Sequence, residues 1–145
     1  MSPGLVDMRT ARDAMIVSAE VHGALTTVGA VRLFFEDDHK HCAVIADDRR
    51  VLAVVVRTDL VGAHEDDLAH PYGTLTGRVT DPESPLEAVR RRMVEDGLRR
   101  LAVVDAEWRL LGLLCLKRTG LGFCSEADVQ ARVDQAGLRL RTAGS

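Results

Sequence analysis

The feature that most constrains this chain is an internal repeat. The segment from Cys42 to Val56 aligns without a gap on the segment from Leu101 to Cys115, a constant displacement of 59 residues. Each copy is an apolar run, a polar stretch led by Asp, and a second apolar run: Cys42 to Ala46 then Val51 to Val56, and Leu101 to Val104 then Leu110 to Leu116. Two short apolar runs joined by an Asp-led polar break predict a β-hairpin. The turns fall at Asp47-Asp48-Arg49-Arg50 and at Asp105-Ala106-Glu107-Trp108-Arg109. The strands are continuously apolar, not alternating, so both faces of each hairpin should be covered.

The repeat continues upstream with a one-residue slip, Gly29-Ala30-Val31-Arg32 matching Glu87-Ala88-Val89-Arg90. In the second copy Leu86, Val89, Met93 and Val94 lie on one helical face. Ser84 is placed to cap this helix, with Pro85 at its first position, Glu87 completing a capping box and Gly97 stopping it. In the first copy Thr26 or Thr27 caps, Val28, Val31, Leu33, Phe34 and Phe35 give the apolar surface, and Asp37-Asp38-His39 ends the helix. Each half therefore reads strand, helix, strand, strand and short helix. Gly62 to Gly73 reads as a surface linker. Ser125 with Asp128 caps a last helix, with Val129, Val133 and Ala136 on one face and Gly137 as its stop. The expected organisation is a first motif over 1–62, a linker over 63–74, a second motif over 75–137 and a flexible tail over 138–145.

A chain of 145 residues with 46% hydrophobic residues can fill one core. Only 3% are aromatic and the net charge is -3, which argues against a base-stacking surface or a basic field for nucleic acid. No apolar run reaches the length of a membrane helix, and the first ten residues lack the apolar core of a secretory signal. The expected location is the cytoplasm. Cys42, Cys115 and Cys124 have no metal-type spacing and read as buried free thiols.

The doubled pattern resembles the CBS family. In the second copy the residues are Met93 to Gly97, Arg100 to Asp105 and Leu111 to Cys115; in the first they are His41 to Ile45 and Leu52 to Leu60, with Ala11 to Met15 resembling the lead-in of a first motif. The resemblance covers residues 10 to 125 and implies an α/β (α+β) fold of two CBS motifs, each β-α-β-β-α, packed about a pseudo-twofold axis. It further implies two clefts between the motifs, a homodimer of such modules, and an adenosine-containing ligand such as AMP, ATP or S-adenosylmethionine. The family's ligand signature is a Thr or Ser followed three residues later by an Asp that accepts from the ribose hydroxyls.

In the first copy the carboxylate position is Asp59 and the hydroxyl position is Val56, with Thr58 and Arg57 beside it as alternative polar groups. Asp59 reads equally as a helix cap. In the second copy Cys115 replaces the hydroxyl and Arg118 the carboxylate, and a guanidinium only donates, so ordinary nucleoside binding is expected to be lost there. His39, His41 and Cys42 lack a clear fourth metal ligand, and no metal is expected. Arg90 to Arg92 with Arg99 and Arg100 read as a solvated face or, less favoured, as a patch for phosphates, RNA or an acidic partner, and Glu36 to Asp38 and Glu65 to Asp67 as solvated surface. Trp108 reads as a partner surface or as folded onto its sheet. No coupled nucleophile and base is found, so the chain is expected not to be an enzyme. The expected function is a regulatory sensor of an adenosine-containing ligand without an obligatory cofactor; the alternative is a ligand-free interaction and dimerisation module for an unknown client protein.

Overall fold

The computed structural model describes residues 8–128, which form two three-stranded sheets, one from each half. A short helix α1 (Ala11–Ala14) precedes the first sheet. There β1 (Val21–Gly23) runs parallel to β2 (Ala43–Asp47), which pairs antiparallel with β3 (Arg50–Val55). Helix α2 (Val28–Phe34) makes the crossover that a parallel strand pair requires. The second sheet repeats this plan with β4 (Val79–Thr80), helix α3 (Leu86–Asp96), β5 (Arg100–Val104) and β6 (Leu110–Cys115). The predicted hairpins are present in both halves, and each carries a register shift in its first strand, at Ile45/Ala46 and at Val103/Val104.

Period-two alternation assigns each strand residue to one of two apolar layers. Ile45 and Val55 face the first helix, with Val28, Val31, Phe35 and Leu60. Leu101, Val103 and Leu114 face the second, with Leu86, Val89 and Met93. Their neighbours Val44, Val51, Val54, Ala102, Val104 and Leu110 pack together between the two sheets. This is why the strands read as unbroken apolar runs: both faces are buried, one under a helix and one against the other half.

The two halves meet about a pseudo-twofold axis. Val51 N–H donates to Trp108 O at 2.8 Å and Leu110 N–H donates to Arg49 O at 2.8 Å, and these two bonds exchange under the displacement of the repeat. Arg49 and Trp108 both adopt left-handed backbone, with φ of 69° and 64°, which aims their carbonyls at the opposite hairpin.

The segments leading into the motifs are exchanged in the same way. Thr10 bridges Pro85 and Ile16 bridges Leu113, so residues 10–16 lie on the second half. Thr27 bridges Leu68 and Val54 bridges Thr74, so residues 68–74 lie on the first. The stretch from Gly62 to Gly73 follows α2 closely: Asp67 O and Glu65 O accept from Val28 and Gly29 N–H, and Ala63 and Ala69 are buried in the first core.

This crossing corrects the capping expected for α3. Pro85, not Ser84, holds the N-cap position and makes no side-chain bond, while Leu86 N–H donates to Arg9 O. The crossing segment supplies backbone acceptors where a capping side chain would have served. Ser84 instead accepts from the Thr80 hydroxyl, and Glu87 pairs with Arg90 at 2.6 Å; that guanidinium holds the Glu87 carboxyl down at about 2. Thr27 caps α2 by accepting from Ala30 N–H, and Gly97 ends α3 in left-handed backbone at φ 69°. Helix α2 stops at Phe34, and Leu33 and Val94, assigned to the apolar faces, are 66% and 50% exposed. Ser125 and Asp128 make the reciprocal capping bonds expected of a helix start, whereas Val129, Val133, Ala136, Gly137 and the tail lie outside the described residues.

Candidate ligand cleft

A cavity of about 380 Å³ opens between the halves, where the end of β3 meets the loop between α3 and β5. From the first half it is lined by His41, Cys42, Val54, Val56, Arg57 and Thr58. The second half contributes Arg78, just before β4, and Asp96 to Arg100. Three of the ligand-site candidates of the first copy, Val56, Arg57 and Thr58, thus share one cavity. Asp59 stands behind its wall, within the 3₁₀ helix Arg57–Leu60 that follows β3.

Asp59 is bound from two sides. Its Oδ2 accepts from Val56 N–H at 2.9 Å and from Arg78 Nη1 at 2.6 Å, and its Oδ1 accepts from Arg78 Nη2 at 3.2 Å. Both the capping and the charge-recognition readings of this residue are therefore realised, but the charge it meets is Arg78. The pair is largely shielded, with side-chain exposures of 18% for Arg78 and 17% for Asp59. Arg78 also donates to Val54 O at 2.7 Å, which fixes its guanidinium plane across the cavity floor. A carboxylate offers about four lone-pair sites, of which three are taken. One acceptor position on Oδ1 is left.

Arg57 turns away toward α2. It donates to Phe35 O at 2.8 Å and Asp37 O at 3.0 Å and lies 4.9 Å over the Phe35 ring. It caps the carbonyl end of that helix while its outer edge faces the cavity. Thr58 is exposed at the rim. Arg100 donates to Arg99 O and His39 O, and Arg99 donates to Leu116 O, so both guanidiniums are held in place. The cavity collects four arginines against Asp96 and the neutralised Asp59. Burial, and then the charges of Arg100, Arg99 and Arg57, lower the His41 pKa from 6.5 to about 4. Burial pushes the Cys42 thiol up to about 12, so it is an inert wall group.

The sequence pattern did not single out Arg78. It precedes a two-residue strand in the other half, and only the exchanged lead-in segments bring it under Asp59. The basic cluster noted in the sequence is divided by the fold: Arg90 and Arg91 pair with Glu87, whereas Arg99 and Arg100 turn into the cavity.

The second pair of candidates is placed differently. Cys115 is buried at the end of β6, in the position that Val56 takes in the first half. Arg118 is exposed, in a turn closed by Gly120 N–H donating to Lys117 O, and neither residue lines the 380 Å³ cavity. Trp108 is 46% exposed. Among the described residues no group of three His, Cys, Asp or Glu side chains is gathered as a metal site. Nor, among them, is any helix long and apolar enough to cross a membrane.

The CBS domain family model matches residues 78–118, from the cavity arginine to the end of the second hairpin. No curated protein sequence matches the chain. Several solved structures do. The cystathionine beta-synthase pair domain of the putative Mg2+ transporter SO5017 from Shewanella oneidensis MR-1 is 17% identical, with a TM-score of 0.67 over 90% of this chain and 75% of that one. The CBS domains of a transcriptional regulator from Streptococcus pneumoniae are 15% identical, with a TM-score of 0.64 over 86% and 99%. CBSX2, solved in complex with AMP, is 20% identical, with a TM-score of 0.63 over 88% and 98%. Residues 78–118 are thus similar to the CBS domain, and the chain as a whole has the fold of a tandem CBS pair.

Proposed function

We propose that this chain is a regulatory sensor, not an enzyme, and that it takes an adenosine-containing ligand carrying at least one phosphate in the cavity beside Asp59. The observation that carries the reading is the charge of that cavity: Arg57, Arg78, Arg99 and Arg100 line it together. Guanidiniums held by backbone carbonyls are pre-organised donors for phosphate oxygens. Its volume, about 380 Å³, lies within the range of small-molecule sites. The AMP bound by the similarly folded CBSX2 supports the choice of ligand class. The same positive charge disfavours the sulfonium of S-adenosylmethionine relative to AMP or ATP.

The free lone pair on Asp59 receives one ribose hydroxyl with the Arg78 pair intact. Receiving both hydroxyls requires Arg78 to swing toward the phosphate. Ligand binding is thereby coupled to an ion pair that joins the two halves, and differential affinity for the paired and opened arrangements is what makes such a module a sensor. No cofactor is obligatory in this reading, and the module works in the cytoplasm.

Isothermal calorimetry with AMP, ADP, ATP, adenosine and S-adenosylmethionine tests it. Binding by a nucleotide, with none by adenosine or S-adenosylmethionine, is the expected outcome. No heat and no thermal shift with any nucleotide at millimolar concentration sinks it. The second reading, a ligand-free homodimerising module that docks a client protein, is favoured by Leu33, Val94 and Trp108, which stand 66%, 50% and 46% exposed. It predicts a dimer in light scattering and no nucleotide response.

A further inference from the structure

We propose that Cys115 and Cys124 form a thiol–disulfide pair, an oxidisable site that fastens residues 116–124 across the end of β6. The chain past Leu116 turns at Gly120 and comes back antiparallel: Leu116 bridges Phe123, Lys117 N–H donates to Gly122 O at 2.8 Å, and Cys124 N–H donates to Cys115 O at 2.7 Å. This register puts Cys115 and Cys124 directly opposite one another. Residues so placed on antiparallel segments have Cα atoms about 5.5 Å apart, with side chains on the same face. That is within the roughly 4.4–6.8 Å that a disulfide spans. Both cysteines are buried, and they pack in one small cluster with Ile16.

The strap itself is shallow. Lys117, Arg118, Thr119 and Leu121 are exposed; between its ends, which are fixed by Arg99 at Leu116 and by Glu126 accepting from Val17 and Ser18, it is held besides the bonds above by Arg90 donating to Gly120 O and by Phe123 against the second core. A strap exposed along its middle opens at a lower free energy than the core beneath it. Opening carries Cys124 into solvent and leaves Cys115 at the end of a sheet strand. The chemistry needs one peroxide. The Cys124 thiolate attacks a peroxide oxygen, the O–O bond breaks, and hydroxide leaves and is protonated to water, giving a sulfenic acid. The Cys115 thiol then attacks that sulfur, forming the S–S bond and releasing a second water. Two sulfurs are oxidised by one electron each, and the peroxide is reduced to two waters. Cys42, the third thiol, lies in the wall of the ligand cavity and serves as an internal control.

The test uses the reduced full-length protein, exposed to a small excess of hydrogen peroxide and then denatured under acid. The intact mass falls by about 2 Da. Titratable thiols drop from the three free cysteines to the one at Cys42. Trypsin cuts at Lys117 and Arg118, so the product is a linked pair of peptides, one with Cys115 and one with Cys124. Dithiothreitol restores all three thiols, and Cys42→Ala behaves like the parent. Linkage of Cys42 to either partner overturns the proposal. So does oxygen addition of about 16 or 32 Da without linkage, or a protein whose three thiols survive the treatment.

Discussion

The two halves of this protein agree through both hairpins and part company at the end of the last strand of each. Past β3 the first half turns at once into the 3₁₀ helix Arg57–Leu60, which brings Asp59 back under Val56 N–H and leaves a cavity open above it. Past β6 the second half runs on, turns at Gly120 and returns over its own strand, laying Phe123 and Cys124 where the first half has open space. The residues differ accordingly. Asp59 of the first half and Arg78 of the second form an ion pair; the positions related to them by the repeat carry Arg118 and Glu20, both exposed, and no ion pair joins them among the described residues. Fewer than ten residues after a shared strand make the difference: in one half they leave a cavity beside the end of β3, in the other they fold back over the end of β6.

The exchanged lead-in segments give the strongest way to break this comparison, because both halves depend on them and each makes room by a different device. In the first half the glycine is on the crossing segment: a Cβ at Gly73 would lie 2.7 Å from Val54 O and from Val55 Cγ2. In the second it is on the strand: a Cβ at Gly112 would lie 2.8 Å from Met15 Cγ and 3.0 Å from Ile16 O. Backbone cannot yield as a methionine side chain can. Gly73→Ala is expected to cost about 2–3 kcal/mol and Gly112→Ala about 1 kcal/mol in urea unfolding. Equal losses would mean that the crossing on the first half is as compliant as that on the second.

The next contrast concerns the ion pair. Arg78→Ala removes a cavity-floor donor and leaves Asp59 with its cap alone. Nucleotide affinity is expected to fall about tenfold or more, the loss of one or two charge-assisted bonds at roughly 1.5–3 kcal/mol. Arg118→Ala, at the exposed turn of the covered half, should leave affinity within twofold. Calorimetry on both variants decides: equal losses would move the binding site to the second half.

How much of this was legible in the sequence follows from what the repeat encodes. Both hairpins, both helices and the doubled architecture were readable because each depends on local patterning: apolar runs, Asp-led turns, and Gly97 as a helix stop. The exchange of lead-in segments was not, because it is a contact between residues such as Ile16 and Leu113 that no local period reports. The misassigned cap at Ser84 and the missed Arg78 have this one cause. Asp59 was singled out as a candidate acceptor for a ligand; in the structure it accepts from Val56 N–H and from Arg78, a guanidinium that comes from the other half. Leu33 and Val94 fit an apolar face by spacing yet sit at its edge, toward solvent.

A smaller effect separates the two hairpin turns. Arg49 and Trp108 pay the same backbone strain for the same reciprocal bond, φ 69° and 64°. Glycine relieves that strain by about 1 kcal/mol. Trp108→Gly keeps its backbone bond and loses a half-exposed ring, and is expected to raise stability by about 0.5–1 kcal/mol. Arg49→Gly also gives up the bond from Arg49 Nη2 to Leu110 O at 3.0 Å, so its gain should cancel. Thermal unfolding of the two variants measures the difference; a Trp108→Gly protein less stable than Arg49→Gly would show that the ring is a packed anchor.

The smallest effect is a titration, and it links the open cleft to its ligand. His41 lines the cavity at the position that Arg99 holds in the second half, so one copy of the repeat places a fixed charge there and the other a switchable one. Burial and the neighbouring arginines lower its pKa from 6.5 to about 4. The unfolded chain therefore binds a proton between these two values that the folded chain refuses, and His41's contribution to stability is present above pH 6.5 and declines as pH falls toward 4. His41→Asn should flatten the dependence of the melting temperature on pH in that window. A bound phosphate reverses the local field and favours the imidazolium. Nucleotide binding at pH 6 should then take up a fraction of a proton, and affinity should rise as the solution is acidified. Calorimetry in two buffers of different ionisation enthalpy reads that uptake directly. Equal heats in both buffers would place the phosphate away from His41, and with it away from the Arg99 and Arg100 end of the cleft.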